Sequence, residues 1–461
     1  MAALRLDEIA VRSGGRILQG PPGLVFKAFG IDSRLTIPGE LFFAVVGRRD
    51  GHEYVPAAAG RGAAGAVVSR AVRVPDPRFG LVEVADTVAA LQSLARSVLA
   101  ASRARVVGIT GSTGKTTTKD FTADLLGSRL RVLRSQGNFN NHLGLALSLL
   151  RLGPEDEAAV LEMGMSAAGE IRALTAVAPP DVAVLTNILP VHLQFFKSME
   201  EIALAKKEIL DGAKPGATAV LNGDSPLVLK AAVGWKGPRI LFGLGPTCDV
   251  RAEDIRRKGY EGLELAIVHG RKRIGVAFPF VNESYVMNLL AAVAVGLAFG
   301  LGLEELRPAI SGLRPSAMRG LLATLAGGVR LYDDSYNSNP RALEAVLKSL
   351  GALPARRKVA VLADMLELGE DEREFHRQAG DAVVRWGFDV LVAVGPLAAH
   401  IAEEAATSGL ARDRILAFPD AEAAAGRINA IVRDGDLVLV KGSRGMKMEK
   451  VVDRLKKREK E

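Results

Sequence analysis

Apolar and polar positions fall into two regimes along the chain. From about residue 105 onward, short apolar runs rich in β-branched residues alternate with stretches of helical periodicity, the pattern of strand–helix–strand units around a parallel sheet. Candidate strands cover 105–110, 158–163, 181–187 and 217–222, and a second series covers 328–333, 358–363, 390–395 and 436–441. Two separate sheets are expected, joined near Leu313-Arg314-Pro315-Ser316, where a proline-containing stretch follows a long helical segment. The first hundred residues read differently. Strand-like pieces at 39–46 and 65–68 are broken by Gly, Pro and Asp turns, and a helical run over 87–101 follows, so a small α/β module is expected there. The pattern predicts an α/β chain of three domains, 1–98, 99–313 and 314–461. Short hinges should join them, because neither a solenoid repeat nor a low-complexity linker intervenes.

Composition narrows the picture. A chain of 461 residues is too long for one hydrophobic core, and 48% hydrophobic with 24% charged residues describes a soluble α/β protein, neither disordered nor fibrous. The single cysteine, Cys248, excludes an internal disulfide framework and lies in a turn rich in Gly, Pro and Asp, which suits an inert thiol better than a nucleophile. The start Met1-Ala2-Ala3-Leu4-Arg5 has no charged stretch leading into an apolar secretory core, so a cytoplasmic location is expected. The most membrane-like stretch, 286–303, is interrupted by Asn288 and loosened by Gly296, Gly300 and Gly302. It predicts a buried core helix and no integral membrane segment. A net charge of +8 fits nucleic acid, an anionic membrane or small polyanions, or simply a solvated surface. No basic segment carries interleaved aromatics, and the basic 454–458 tail reads as an exposed helix end. Small anionic substrates are favoured over nucleic acid.

The strongest local signal is Thr110-Gly111-Ser112-Thr113-Gly114-Lys115-Thr116. A buried strand precedes it, and Thr116-Thr117-Thr118-Lys119-Asp120-Phe121 opens a helix after it. Glycines let backbone N–H groups turn toward phosphates, the helix N-terminus adds a positive dipole, Lys115 supplies a mobile charge, and the Thr116 hydroxyl suits Mg²⁺. The strict G-x-x-x-x-G-K-[ST] spacing is not met, since Ile109 stands five before Gly114, so this is a variant loop, the competing reading being a chance glycine turn.

The run Ile109-Thr110-Gly111-Ser112-Thr113-Gly114-Lys115-Thr116-Thr117-Thr118-Lys119 resembles the loop shared by the Mur ligases and folylpolyglutamate synthetase. Further similar motifs are Gln136-Gly137-Asn138-Phe139-Asn140-Asn141, Glu162-Met163-Gly164-Met165, Thr186-Asn187-Ile188 with His192-Leu193, Asp333-Asp334-Ser335-Tyr336-Asn337-Ser338-Asn339-Pro340, Asp364-Met365-Leu366-Glu367-Leu368-Gly369 and Lys441-Gly442-Ser443-Arg444. The resemblance to the Mur ligase family implies a small UDP-sugar-binding α/β domain, a central P-loop ATPase domain on a parallel sheet, and a C-terminal Rossmann-like α/β domain. It implies an ATP-dependent, amide-bond-forming ligase that phosphorylates a substrate carboxylate and lets an amine displace the phosphate. The implied partners are a UDP-MurNAc-tripeptide and D-alanyl-D-alanine, with the protein a monomer.

Roles for individual residues also follow from the resemblance. Thr110, Gly111, Ser112, Thr113, Gly114, Lys115, Thr116 and Thr117 would surround the ATP phosphates, with Lys115 on the β and γ groups. Thr116 and Glu162 would hold one Mg²⁺, and His192 would hold a second, bridged by a carbamate formed from CO₂ on Lys206. Asn288 would contact adenine, and Arg319 and Asp334 would reach ATP. Tyr336 and Asn337 would serve the dipeptide side, Asn138, Asn140 and Asn141 the peptide and its carboxylate, and Ser33, Arg34, Asp50 and His52 the UDP group. Each has a plainer reading. Glu162 is also an ordinary strand-edge carboxylate, His192 a hydrogen-bonded loop histidine, and Lys206 part of a solvated helix face. Asn288 reads equally as a cap, and the Asp50, Arg319 and Tyr336 segments as turns.

The chain departs from the family pattern at Gln194-Phe195-Phe196-Lys197 and at Ser284, where a histidine is common. Alternatives to a dipeptide-adding ligase are the diaminopimelate- or lysine-adding member, whose Asp-Asn-Pro-Arg motif is missing, a folylpolyglutamate synthetase, and a non-catalytic nucleotide-binding module.

Overall fold

The computed structural model describes residues 3–190, 196 and 198–458. The chain divides into two compact units, one from Met1–Ile188, Ile202–Leu241 and Ala294–Gly300, the other from Leu189–Glu201, Phe242–Val293 and Leu301–Glu461.

The first unit opens on a five-stranded sheet in the order Arg16–Gln19, Gly80–Glu83, Gly65–Val68, Glu40–Phe43, Ala28–Gly30. Its neighbours are parallel apart from the first pair. The expected strands at 39–46 and 65–68 are present as Glu40–Phe43 and Gly65–Val68, every residue buried. Helix Thr87–Ala100 follows. The Asp86 carboxylate starts it by accepting from Val88 N at 2.7 Å and Ala89 N at 3.0 Å, two of the donors that a helix start leaves without partners.

Beyond this helix the first unit holds parallel strands in the order Val132–Arg134, Ala158–Glu162, Arg105–Thr110, Val182–Leu185, Thr218–Asn222. Ala158–Glu162 and Val182–Leu185 are buried throughout, which is why they read as unbroken apolar runs. The chain leaves Arg105–Thr110 through helix Lys115–Gly127 to the Val132–Arg134 edge, returns with Ala158–Glu162 between the two, and then lays Val182–Leu185 and Thr218–Asn222 on the opposite side. Arg105–Thr110 is thus the point where strand order reverses. Open α/β sheets gather ligands at the carboxyl ends of such strands.

The second unit begins with three antiparallel strands, Val250–Arg257, Leu263–His269 and Lys272–Phe278. A register shift between Glu253 and Arg256 coincides with Asp254 at φ 52°. Its larger sheet has the order Leu321–Thr324, Arg330–Asp334, Asp436–Lys441, Arg357–Ala363, Val390–Val394, Ile415–Phe418, parallel except for the first pair. Its strands alternate between two cores. Ala360 and Leu362 join Leu343, Leu347, Val383 and Ile401 on one face, while Val359, Val361 and Ala363 join Ala424, Ile428, Val451 and Leu455 on the other.

The membrane-like stretch forms helix Tyr285–Ala298, with Leu289, Leu290, Val293 and Val295 fully buried, and this matches a core helix. Among the described residues no helix is long and apolar enough to cross a membrane.

Candidate active site

The glycine-bearing loop sits at the carboxyl end of Arg105–Thr110. Gly111 adopts φ 152°, and a Cβ there would fall 1.9 Å from Thr186 Oγ1. Gly114, at φ 78°, precedes helix Lys115–Gly127. The loop is tied to the next strand end. Thr186 Oγ1 donates to Thr113 O at 2.8 Å, and Asn187 Oδ1 accepts from Thr113 N at 2.9 Å. Asn187 Nδ2 donates to Thr113 Oγ1 at 2.9 Å, and Asn187 O accepts from Ser112 N at 3.0 Å. Lys115 Nζ folds back onto Gly111 O at 2.9 Å. Thr186 and Asn187 belong to a motif visible in the sequence, yet their task of bracing the loop rests on contacts between residues more than seventy positions apart.

Two side chains converge on Glu162, which ends strand Ala158–Glu162 and is only 3% exposed. Thr116 Oγ1 donates to its Oε2 at 2.7 Å, and Asn140 Nδ2 donates to its Oε1 at 2.9 Å. A hydroxyl and a carboxylate held together beside a phosphate loop form a hard-oxygen donor set. Mg²⁺ characteristically takes one or two such carboxylate or hydroxyl ligands and completes its shell with phosphate oxygens and water. The residues present therefore fit that ion.

Lys206, on helix Met199–Asp211, is 2% exposed and, among the described residues, makes no hydrogen bond or ion pair. It is therefore not the solvated helix face that its neighbours suggest. Burial, reinforced by the charge of Lys115, pushes its amine well below the usual lysine range. His192, with Gln194, Phe195 and Lys197, lies outside the described residues.

The other expected residues divide between exposed and structurally engaged positions. Asn138 is exposed, and Asn141 caps helix His142–Leu149 by accepting from Gly144 N at 2.8 Å. Arg34 is exposed and forms a fork on Asp32, at 2.9 and 2.7 Å, that holds the Asp32 carboxyl down at about 2, while Ser33 is buried. His52 is buried with both ring nitrogens taken: Nε2 accepts from Ser69 N at 2.8 Å and Nδ1 meets Asp50 Oδ1 at 2.5 Å. The Ser69 amide fixes the tautomer, so Nδ1 carries the proton. Asp50 also pairs with Arg70 at 2.7 Å, and the His52 contacts lead in holding its carboxyl low.

In the second unit, Arg319 lies 4.0 Å from the Tyr336 ring centre, and Lys441 Nζ donates to Asp334 Oδ2 at 2.6 Å and to Asn337 O at 2.9 Å. Burial pushes the Asp334 carboxyl up, against the pull of Lys441. Asn337 is exposed, and Asn288 is half-buried on helix Tyr285–Ala298. Ser284 is exposed and its N–H donates to Asn282 Oδ1 at 3.0 Å. Cys248 is buried.

A variant phosphate loop at a strand-order reversal, with a hydroxyl–carboxylate pair beside it, defines a P-loop nucleotide-binding α/β protein. Residues 109–296 match the Mur ligase middle domain, and residues 319–444 match the Mur ligase, glutamate ligase domain. A UDP-N-acetylmuramoyl-tripeptide–D-alanyl-D-alanine ligase of Bacillus subtilis (strain 168) is 37% identical over 432 residues, 93% of either chain. The chain belongs to the Mur ligase family. Two solved structures are similar over nearly their whole length. The UDP-N-acetylmuramoylalanyl-D-glutamyl-2,6-diaminopimelate–D-alanyl-D-alanyl ligase from Acinetobacter baumannii gives a TM-score of 0.87 at 27% identity, covering 99% of this chain and 98% of that one. The MurF ligase from Thermotoga maritima in complex with ADP gives 0.80 at 30% identity, covering 94% and 98%.

Proposed function

We propose that this chain joins D-alanyl-D-alanine to UDP-N-acetylmuramoyl-tripeptide in peptidoglycan precursor synthesis, converting ATP to ADP and phosphate. The observation that carries the chemistry is the convergence of Thr116 and Asn140 on Glu162 beside the Lys115 loop. The choice of acceptor is supported by the 37% identity to the Bacillus subtilis ligase across 93% of both chains. The division of labour follows segments 1–98 for the UDP group, 99–313 for ATP and 314–461 for the acceptor, and the spans matched by the two family models support it. The reaction is assigned to the cytoplasm, where ATP is supplied.

Catalysis here is positioning and charge neutralisation. The loop amides and the N-terminus of helix Lys115–Gly127 receive the phosphates, and Lys115 exchanges its loop carbonyls for the β- and γ-phosphate oxygens. Mg²⁺ held by Thr116 and Glu162 would neutralise charge on those oxygens. A tripeptide carboxylate oxygen attacks the γ-phosphorus, a P–O bond forms, the bond to the β–γ bridging oxygen breaks, and ADP leaves. The neutral amine of D-alanyl-D-alanine then attacks the acyl carbon. The C–N bond forms, the amine gives up a proton, and the C–O bond to phosphate breaks. Asn138 and Asn140 orient the peptide, and Asp334, Tyr336, Asn337 and Arg319 serve the acceptor and nucleotide in the last segment, with Asn288 toward adenine. Ser33 and Arg34 meet the UDP group on a loop whose neighbour is shaped by Asp50 and His52.

A second Mg²⁺ is assigned to His192 and Lys206. Burial, reinforced by the charge of Lys115, favours the neutral amine of Lys206, the form that would attack CO₂ to give a carbamate and one released proton. Phosphate release with UDP-tripeptide, comparing D-alanyl-D-alanine with free amino acids as acceptors, tests the function. Turnover confined to diaminopimelate or lysine with a dipeptide nucleotide overturns it.

A further inference from the structure

Glu162 is held through its backbone as well as its carboxylate. Its N–H donates to Ser135 Oγ at 3.2 Å, just beyond the last ladder pair between its strand and Val132–Arg134. The Ser135 carbonyl in turn accepts from Lys119 Nζ at 2.9 Å. Lys119 is a lysine held almost wholly out of solvent, its side chain 3% exposed, with Asp120 Oδ1 at 3.1 Å. A buried ammonium is costly unless its donors are satisfied, so this placement needs the Ser135 and Asp120 partners.

Lys119 stands three residues after Thr116 on the same helix, one turn along the same face. The contacts close a ring. Thr116 reaches the Glu162 carboxylate, Glu162 N reaches Ser135, Ser135 O reaches Lys119, and the helix turn returns to Thr116. Ser135 also begins the segment that carries Asn140 onto Glu162 Oε1. One buried ammonium therefore anchors the start of the segment that supplies the other two partners of Glu162.

We propose that Lys119 is a positioning residue for the divalent-cation site: acting through Ser135, it fixes Glu162 against Thr116 without touching the cation itself. The proposal rests on the metal reading above and adds a residue that reading does not use. Partners behind a metal ligand are worth about 10- to 100-fold in metal affinity. Mn²⁺ is titrated into the full chain saturated with ADP, and free Mn²⁺ is followed by its electron spin resonance signal. Lys119→Met and Ser135→Ala each weaken Mn²⁺ binding by about tenfold or more, while ADP affinity measured without metal stays within about twofold. The double variant is no weaker than the weaker single one, because both cut the same line of contacts. Ser135→Ala keeps the carbonyl that Lys119 grips, so it carries the test should Lys119→Met fail to fold, and Ser135→Thr restores the parent affinity. Parent-like Mn²⁺ affinity in the folded variants, or losses that add in the double variant, overturns the proposal. Failure of the parent itself to bind Mn²⁺ with ADP overturns the metal reading beneath it.

Discussion

Replacing Asn187 with alanine isolates the brace on the phosphate loop. The substitution removes the acceptor of Thr113 N at 2.9 Å and the donor to Thr113 Oγ1 at 2.9 Å, with a longer contact to Thr113 O at 3.2 Å. It leaves the backbone contact from Ser112 N to Asn187 O. Thr113 O keeps Thr186 Oγ1 at 2.8 Å, so only the Thr113 N–H is left without a protein acceptor. At about 0.5–1.5 kcal/mol net for each well-formed bond, the loss is about 1–3 kcal/mol. It divides between the free protein and the complex according to whether the loop opens in the absence of nucleotide. Calorimetric titration with MgADP and urea unfolding without nucleotide measure the two shares. If the whole loss falls on binding, Kd for ADP rises roughly 5- to 150-fold. Asn187→Asp keeps an acceptor for Thr113 N but adds a negative charge beside the phosphates, and it should bind ADP more weakly than Asn187→Ala. An alanine variant with ADP affinity within about twofold of the parent and an unchanged urea midpoint refutes the brace.

Gly111→Ala drives a Cβ to within 1.9 Å of Thr186 Oγ1 in a backbone conformation that L side chains rarely adopt, so KM for ATP should rise roughly 5- to 150-fold by the usual 1–3 kcal/mol cost of overpacking, read from initial rates. Arg357 forks onto Asp436 at 3.0 and 2.6 Å and also holds Ile431 O at 2.8 Å, while Asp436 is 1% exposed. Arg357→Met leaves the buried Asp436 carboxylate, among the described residues, only the Arg433 N–H at 2.7 Å and should cost about 3–5 kcal/mol in urea unfolding, and adding Asp436→Leu should recover part of it. His376 is fully buried, its Nε2 accepts from Met365 N at 2.9 Å, and burial pushes its pKa down against the pull of Asp364 and Glu372 and with that of His400. The unfolded chain then takes up a proton that the folded one refuses. Stability is full above about pH 6.5 and falls below it by up to about 1.4 kcal/mol per pH unit until the folded-state value is reached. The drop in urea midpoint from pH 7.5 to 5.5 should be smaller in His376→Gln than in the parent, and an equal drop in the two proteins sinks the reasoning.

The parallel strands were legible because both faces are covered, which turns each into a compact apolar run between helical stretches. The strands over 250–278 were not. Val250–Arg257 carries Arg251, Glu253, Asp254, Arg256 and Arg257, which erase the apolar run, and its register shift breaks the alternation that would otherwise mark a half-exposed strand. Val132–Arg134 is too short to show any period. At the site, the sequence displayed the residue types but not their partners. His52 meets Ser69 across 17 positions, Asn140 meets Glu162 across 22, and Asn187 meets Thr113 across 74. Asn141 shows the limit clearly. Within its amide cluster it looks like a ligand-facing group, yet its carbonyl oxygen is spent on the start of helix His142–Leu149.

Glu162 joins the proposed cation site to the proposed peptide contact. A buried carboxylate with no partner is expensive, and here Thr116, Asn140 and the Ser135-anchored backbone share that burden. The hydrogen bond from Thr116 keeps the two oxygens 2.7 Å apart, near enough for both to face one cation. Thr116 and Glu162 would present these oxygens to Mg²⁺ with the Thr116 hydroxyl proton turned away from the carboxylate. Asn140 and the proposed cation ligands Thr116 and Glu162 are tied together, so the proposed peptide contact and the proposed cation site share one fixed point. In a ligase whose carboxylate and γ-phosphate must meet at near-attack distance, a shared anchor of that kind limits the error in both positions at once.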